Sequence, residues 1–334
     1  MITLQENNGL KIDEWLLLRN ESIGASEGSP ICFGSKYTSN IEIFYQKVTG
    51  IKKNVRNIRT YIGHKSENIV DQFYPYYDGT EESIYLNEEA GKIIRSVENR
   101  NVTGKNSKFP HLTATPDRFT LYLISQLKKI TEYKNTQSWV LKQWLPGLPL
   151  DNVIQLLIQL NIFEMQYGEL FYYIDNMKFQ LHEMDANSFK KQWQIVLERT
   201  IPFWENVKKA RILYNQKYEA SRNFNMKLAN ELDHEIQLLE PPIQYSEGYL
   251  KFINENYKSR ASLGGKEATA AEIEKAIRYK KLAKQIDKLK KEQEAIEVDL
   301  KVAMKEAKIL NLGKSGTVTW NEYNDRKVFK INVT

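Results

Sequence analysis

Apolar and polar positions along the chain alternate between two periods. From Lys11 to Gly50 the pattern reads as a helix, a Ser/Gly-rich turn, a short apolar segment and a second helix from Ser39 to Val48 that Gly50 closes. A further amphipathic helix is predicted from about Lys65 to Tyr74, with Ile69, Val70 and Phe73 on one face. Strand-length apolar runs follow at Leu112 to Thr115, Phe119 to Ile124 and Ile130 to Tyr133, separated by Pro, Asp and Lys breaks. The Pro/Gly segment Leu145 to Leu150 leads into a strongly apolar helix, Asp151 to Met165. Two more strands, Leu170 to Ile174 and Lys178 to His182, flank an Asp175-Asn176 turn, and a helix from Ser188 to Ala210 completes a mixed α/β body.

Beyond Pro241-Pro242 the pattern changes. Leu282, Ile286, Leu289, Gln293, Ile296, Leu300, Ala303, Ala307 and Leu310 recur in steps of four and three, an a/d heptad seam. Asn311 to Gly316 stops this helix, and Thr317 to Trp320 with Lys327 to Val333 reads as a terminal β-hairpin. The seam is expected to pack as an intramolecular hairpin against a helix from 205 to 240, with Gln293 as a register device. The reading gives two domains, 1–212 and a helical, coiled-coil-like extension at 213–334.

Charge sharpens this division. Residues 251–334 hold 19 Lys/Arg against 12 Asp/Glu, which leaves 29 against 30 in the first 250 residues, so the net charge of +6 resides entirely in the extension. A near-neutral body suits clustered carboxylates, and a basic extension suits a polyanion, although a Lys/Glu helix is also an ordinary solvated face. One cysteine, Cys32, excludes an intramolecular disulfide framework and a thiolate metal cluster, and it reads as a small buried apolar residue. No run approaches the roughly 20 apolar residues of a membrane span, and the N-terminus lacks a signal-peptide layout, so a cytoplasmic protein without membrane association is expected.

The informative chemistry is Thr113-Ala-Thr-Pro-Asp117, followed by Thr131-Glu-Tyr-Lys134, with 14 residues intervening between Asp117 and Glu132. Phosphodiester cleavage near neutral pH needs a divalent cation, and Mg²⁺ prefers a few carboxylates plus waters. Asp117 and Glu132 on neighbouring strands supply two. Residues i and i+2 of a strand share a face, so Lys134 stands beside Glu132, placed to orient or deprotonate water or to stabilise developing charge. Tyr133 points away and leaves its carbonyl as a further ligand. Asp299-Leu-Lys301 and Glu306-Ala-Lys308 repeat the spacing in the heptad helix, where i and i+2 do not share a face, and serve as internal decoys. The motif is of the PD-(D/E)xK type, and on spacing alone a nuclease competes evenly with a cross-strand ion pair.

Ordered flanking motifs tilt that balance. Trp15-Leu-Leu-Leu-Arg19 to Gly24-Ala-Ser26-Glu27, Lys47-Val-Thr-Gly50, Gly63-His-Lys-Ser-Glu67, TATPDRF, TEYKNT and Gln155-Leu-Leu-Ile-Gln159 together resemble the YqaJ-like viral recombinases, relatives of lambda exonuclease. The resemblance covers roughly residues 13 to 210. It implies a restriction-endonuclease-like core, a central mixed sheet flanked by helices, and it assigns roles residue by residue. Glu67 becomes a helical acidic group assisting metal or water, Asp117 and Glu132 metal ligands with the Tyr133 carbonyl, Lys134 the catalytic lysine and Gln155 a site glutamine. Gln159 continues that pattern on the helix and joins Arg19 and Ser26, which match the segment that grips a 5′ phosphate. Glu27 stands where Asp is common, the loop between Asp117 and Glu132 is long, and Leu157 replaces a usual glutamine.

The expected function is therefore a Mg²⁺-dependent exonuclease, with Mn²⁺ as the other metal, acting 5′ to 3′ on double-stranded DNA ends to leave 3′ single strands for recombination or repair. The resemblance further implies phage origin, a ring-shaped homo-oligomer such as a trimer, and a single-strand annealing protein as partner. The alternatives are a structure-specific or restriction-like endonuclease and a non-catalytic DNA-binding or assembly protein. His64, His111, His182 and His234 lack metal-ligand spacing, though His64 and His111 adjoin motif residues, and Trp139, Trp144, Trp193 and Trp204 read as packing residues, with DNA-end stacking the lesser role for Trp139 or Trp144.

Overall fold

The structure, a computed structural model, describes residues 1–7, 12–51, 58–98, 101–141, 147–175, 177–256, 267–323 and 326–333. Trp144, Asn176 and the side chain of His64 lie outside what it describes. In chain order the elements are β1 (Ile2–Glu6), α1 (Ile12–Asn20), β2 (Ile23–Gly24), α2 (Gly28–Cys32), α3 (Asn40–Thr49), α4 (Ile58–Phe73), α5 (Glu81–Glu89), β3 (Arg95–Glu98), β4 (Val102–Asn106), β5 (Leu112–Ala114), β6 (Arg118–Tyr122) and β7 (Lys128–Thr136). There follow α6 (Ser138–Leu141), α7 (Leu150–Ile162), β8 (Tyr167–Ile174), β9 (Lys178–Asp185), α8 (Lys190–Arg222), α9 (Met226–Leu238), α10 (Glu247–Asn256), α11 (Ala270–Met304), β10 (Ile309–Asn311), β11 (Gly316–Tyr323) and β12 (Arg326–Val333).

The central sheet has the order β3-β6-β7-β8-β9, antiparallel except for the β7/β8 pair. That parallel pair requires a crossover, and α7 provides it while covering one face of the sheet. Strand β7 alternates accordingly. Ile130 points into the α7 side, with Ile154, Leu156 and Leu170. Tyr133 points into the opposite aromatic layer of Tyr74, Tyr77, Phe171 and Tyr173, beneath α4. A second sheet, β1-β4-β5-β2, lies in the same unit, with β2 and β5 parallel. This is the mixed sheet flanked by helices that the resemblance implied.

The chain divides into compact units at 1–258 and 259–334. The expected boundary at 212 falls inside α8, which continues to Arg222 because α9 folds back on it through Ala220, Ala229 and Leu232 and the Lys217–Asp233 ion pair. The next segment is then tied to the body, Asn40 donating to the Pro242 carbonyl and Gln244 to that of Ile31, both at 2.8 Å. In the second unit α11 ends at Met304, and Leu310 belongs to β10 instead of the heptad helix. The terminal hairpin β11/β12 is present and gains β10 as a third strand. Within the first unit, the 205–240 segment is closed on itself as the α8/α9 pair.

The elements that escape the sequence pattern include β1, β3, β4, β10, α5, α6 and α10. Helix α4 also begins before the expected start, at Ile58, and Ile69 is 41% exposed, so Val70, Phe73 and Tyr74 form its inner face.

Candidate active site

Strand β7 carries Glu132 and Lys134 on the face that α7 covers. Helix α7 is apolar almost all round, with Gln155 and Gln159 one turn apart toward that strand. Lys134 Nζ donates to Glu132 Oε1 at 2.7 Å and to Gln155 Oε1 at 3.0 Å. Gln155 Nε2 donates to the same Glu132 oxygen, and Gln159 Nε2 to Oε2 at 2.6 Å. The carboxylate is thereby fixed in orientation although only 3% of Glu132 is exposed.

Asp117 sits where β6 begins, and its Oδ2 accepts from the Tyr133 N–H at 2.8 Å. The N–H and C=O of one strand residue leave by the same edge, so the Tyr133 carbonyl lies on the Asp117 side, where pairing with β6 has ended at Arg118 and Thr131. Burial first, then the negative charge of Glu132, push the Asp117 carboxyl well above the usual carboxylate range, with Glu67 adding to the rise and Lys134 opposing it. Burial alone lowers the Lys134 pKa, but Glu132 and Asp117 outweigh it and hold the lysine above its ordinary value. The two acids thus favour the charged form of Lys134, which suits positioning and charge stabilisation.

Helix α4 brings Glu67 over this pair, held by a residue that the sequence reading passed over. Asp71, one turn on, accepts from Arg118 Nε at 2.7 Å and Nη2 at 2.5 Å, and from the Tyr133 hydroxyl at 3.0 Å. The Glu67/Asp71 spacing of four on one helix, next to Asp117-Arg118, was the available signal.

The third wall is the Gly24-Ala-Ser-Glu-Gly28 turn. Arg19 Nη2 donates to Ser26 Oγ at 3.2 Å. Glu27 caps the Gly24 N–H at 2.8 Å and pairs with Lys47 at 2.8 Å, whose Nζ also donates to the Arg19 and Ser22 carbonyls, each at 2.7 Å. Lys47 and Glu27 thus pin the turn from behind. A Cβ at Gly28 would lie 2.2 Å from Ile158 Cδ1, so the turn seats closely against α7 and a larger residue there would displace the Ile158 side chain. These walls enclose a cleft of about 410 Å³ that holds Arg19, Ser26, Glu67, Asp117, Gln155 and Gln159.

The structure thus gathers the residues singled out in the sequence, with one change of position. Gln159 was grouped with the phosphate grip, but its side chain is fully buried and its N–H₂ is committed to Glu132, which makes it a positioning residue on the cleft floor. His111 is buried and bonded through Nε2 to Thr200 Oγ1 at 3.0 Å, and Cys32 is a buried thiol that burial pushes up to about 12, so both are packing residues. Trp193 stacks edge-on against Phe109, Trp204 is buried, and Trp139 is 57% exposed. Among the described residues no three His, Cys, Asp or Glu side chains alone form a metal-binding group. Two carboxylates, a strand carbonyl and open space for water nonetheless match the donor set that a small hard cation takes.

Comparison with known proteins follows this geometry. Residues 14–166 match the YqaJ-like viral recombinase domain. Arg19 through Gln159 all fall inside the matched residues. The chain is also 20% identical over 308 residues to the uncharacterized protein YqaJ of Bacillus subtilis strain 168, covering 91% of this chain and 82% of that protein. Among solved structures, the alkaline exonuclease LHK-Exo of Laribacter hongkongensis aligns at 16% identity with a TM-score of 0.45, covering 63% of this chain and 98% of that one. The same enzyme in complex with dAMP aligns at 15% with a TM-score of 0.45 and the same coverage.

Proposed function

We propose that this protein is a divalent-metal-dependent DNA exonuclease that degrades linear duplex DNA from a 5′ end and leaves 3′ single strands. The observation that carries the proposal is the Lys134–Glu132 pair, braced by two glutamines beside the buried Asp117, in one cleft with the Arg19–Ser26 turn. Asp117, Glu132 and the Tyr133 carbonyl would hold Mg²⁺, with Mn²⁺ as the other candidate. Such an ion, when bound, polarises the phosphoryl oxygens and lowers the pKa of its water. Gln155 and Gln159 hold Glu132 with both oxygens oriented. Lys134 neutralises part of the paired negative charge and stabilises charge developing on the phosphate. Glu67 faces the cleft from α4 as a polar contact for the attacking water. Arg19, with its planar fork of donors, and the Ser26 hydroxyl grip the terminal 5′ phosphate, and this contact sets polarity.

The resemblance carries the remaining parts of the proposal: cytoplasmic action in recombination or repair, a homo-oligomeric ring and a single-strand annealing partner. Among the described residues no helix is long and apolar enough to cross a membrane. The testing experiment is digestion of linear duplex DNA bearing either a 5′ phosphate or a 5′ hydroxyl, with a closed circle alongside, with and without Mg²⁺. Mg²⁺-dependent release from the phosphorylated linear DNA, slower from the hydroxyl end and absent from the circle, is the expected result. Equal cutting of the circle would replace the proposal with an endonuclease.

A further inference from the structure

Strands β4 and β1, outside the sequence motifs, also line the cleft. In β4 the alternation is clean: Val102, Gly104 and Asn106 are buried, while Thr103 and Lys105 turn the other way and line the cleft. Gln5 of β1 pairs with Thr103, and Lys105 lies between Thr3 and Thr113, so this face of the small sheet is polar across three strands. Hydroxyls connect it to the reacting groups. Asn7 Nδ2 donates to Thr103 Oγ1 at 3.1 Å, and Thr103 shares a hydrogen bond of 2.8 Å with Thr115, two residues before Asp117.

The platform is also fixed from below. A Cβ at Gly104 would lie 2.5 Å from Phe163 Cζ, so β4 rests directly on an aromatic ring at the end of α7. Lys105 is in the middle strand of a three-strand run and not on an edge, so protection of a sheet edge does not explain it. Its ammonium makes no ion pair or hydrogen bond among the described residues. A lysine without an anionic partner, surrounded by threonines and opening into a cleft that also holds Arg19, is a cation placed for a ligand.

We propose that Lys105, with Thr103 and Gln5 beside it, binds a phosphodiester of the DNA strand entering the cleft, in the same sheet as the start of the Arg19–Ser26 turn, level with Gly24 across Thr113. This rests on the reading of the chain as a DNA-processing enzyme. A point-charge lysine among hydroxyls suits a backbone phosphate, which is read by charge and not by base. The strand is then held at two neighbouring points along one sheet, with Arg19 at the terminal phosphate and Lys105 at an internal one.

The test measures binding of a fluorescent duplex by the full chain over a salt series, together with steady-state cleavage. Lys105→Ala is expected to weaken binding about 5- to 10-fold at low salt and reduce the slope of log Kd against log salt by about one, the release of one counterion. KM rises accordingly, kcat stays within about twofold and Tm is unchanged, because no intramolecular bond is lost. Lys105→Arg restores binding. Lys128→Ala, an equal charge change at the far end of β7, leaves the slope as it was. If the parent chain binds and cleaves DNA but Lys105→Ala has its affinity and slope, Lys105 is a solvated charge and the inference is overturned while the function stands. If the parent chain neither binds nor cleaves DNA, both fall.

Discussion

Gln159 donates to Glu132 Oε2 at 2.6 Å from a position with no solvent exposure, while its own Oε1 has no hydrogen-bond partner among the described residues. A buried acceptor left unpaired costs stability, so this glutamine is retained at a cost in the apolar core of α7. Replacement by leucine removes both the orphan acceptor and the orienting donor. Leucine also leaves the buried Glu132 Oε2 without this donor, which offsets the gain, so Gln159→Leu is expected to change Tm little and to lower Mg²⁺-dependent activity roughly 10- to 100-fold, the usual effect of losing a group that orients a metal ligand. A fall in Tm with unchanged activity would assign Gln159 to packing alone.

Asp71 acts on the site through α4. Asp71→Asn keeps the size of the side chain but breaks its charged, two-pronged contact with Arg118. We expect a loss of about 1.5 to 3 kcal/mol in denaturant unfolding and a lower kcat with KM nearly kept, because Glu67 rides on the same helix. Loss of stability with full kcat would separate Glu67 from the reaction.

Much of this site was legible in the sequence, for a physical reason. Glu132 and Lys134 are two apart on a strand, and Gln155 and Gln159 are four apart on an otherwise apolar helix, so local periodicity alone puts each pair on one face. Asp71 and Lys105 were not legible. Asp71 is one of two acids on a polar helix, and its role shows only once Arg118 is seen opposite it. Strand β4, Val102-Thr-Gly-Lys-Asn, has one large apolar residue in five, and its inward face depends on Phe163, which approaches Gly104 from a helix about 60 residues away. The heptad period was visible, but not its end: Lys305 adopts φ 51° and the chain turns into β10 before Leu310.

The raised Asp117 carboxyl gives a pH signature. An acid whose pKa rises on folding leaves stability fully present below the ordinary carboxylate range, and that stability is lost as pH climbs through the raised value. Asp117→Asn abolishes the penalty and keeps an acceptor for the Tyr133 N–H. Without metal, the variant is expected to have a higher Tm at neutral pH and a flatter dependence of Tm on pH than the parent, with activity down at least about 100-fold. Equal pH dependence in both proteins would remove Asp117 as the strained acid.

His111 works in the opposite sense. Burial lowers its pKa to about 4, and Thr200, whose hydroxyl donates to the Val196 carbonyl, receives the Nε2 proton of the neutral ring. A histidine depressed on folding stabilises the protein above its unfolded pKa near 6.5, and that contribution disappears as pH falls toward 4. His111→Gln should therefore flatten the loss of stability between about pH 6.5 and 4, a window that carries on the order of 3 kcal/mol in the parent. Unfolding midpoints across that range check it, and parallel curves would contradict it.

The central claim is that Asp117, Glu132 and Lys134 cut DNA. Its most direct test is nucleotide release from 5′-phosphorylated linear duplex in Mg²⁺ by the parent and by Lys134→Ala, with duplex binding measured on both. The account predicts that Lys134→Ala binds DNA as the parent does and releases nucleotides at least about 100-fold more slowly. Parent-like release by Lys134→Ala would contradict it.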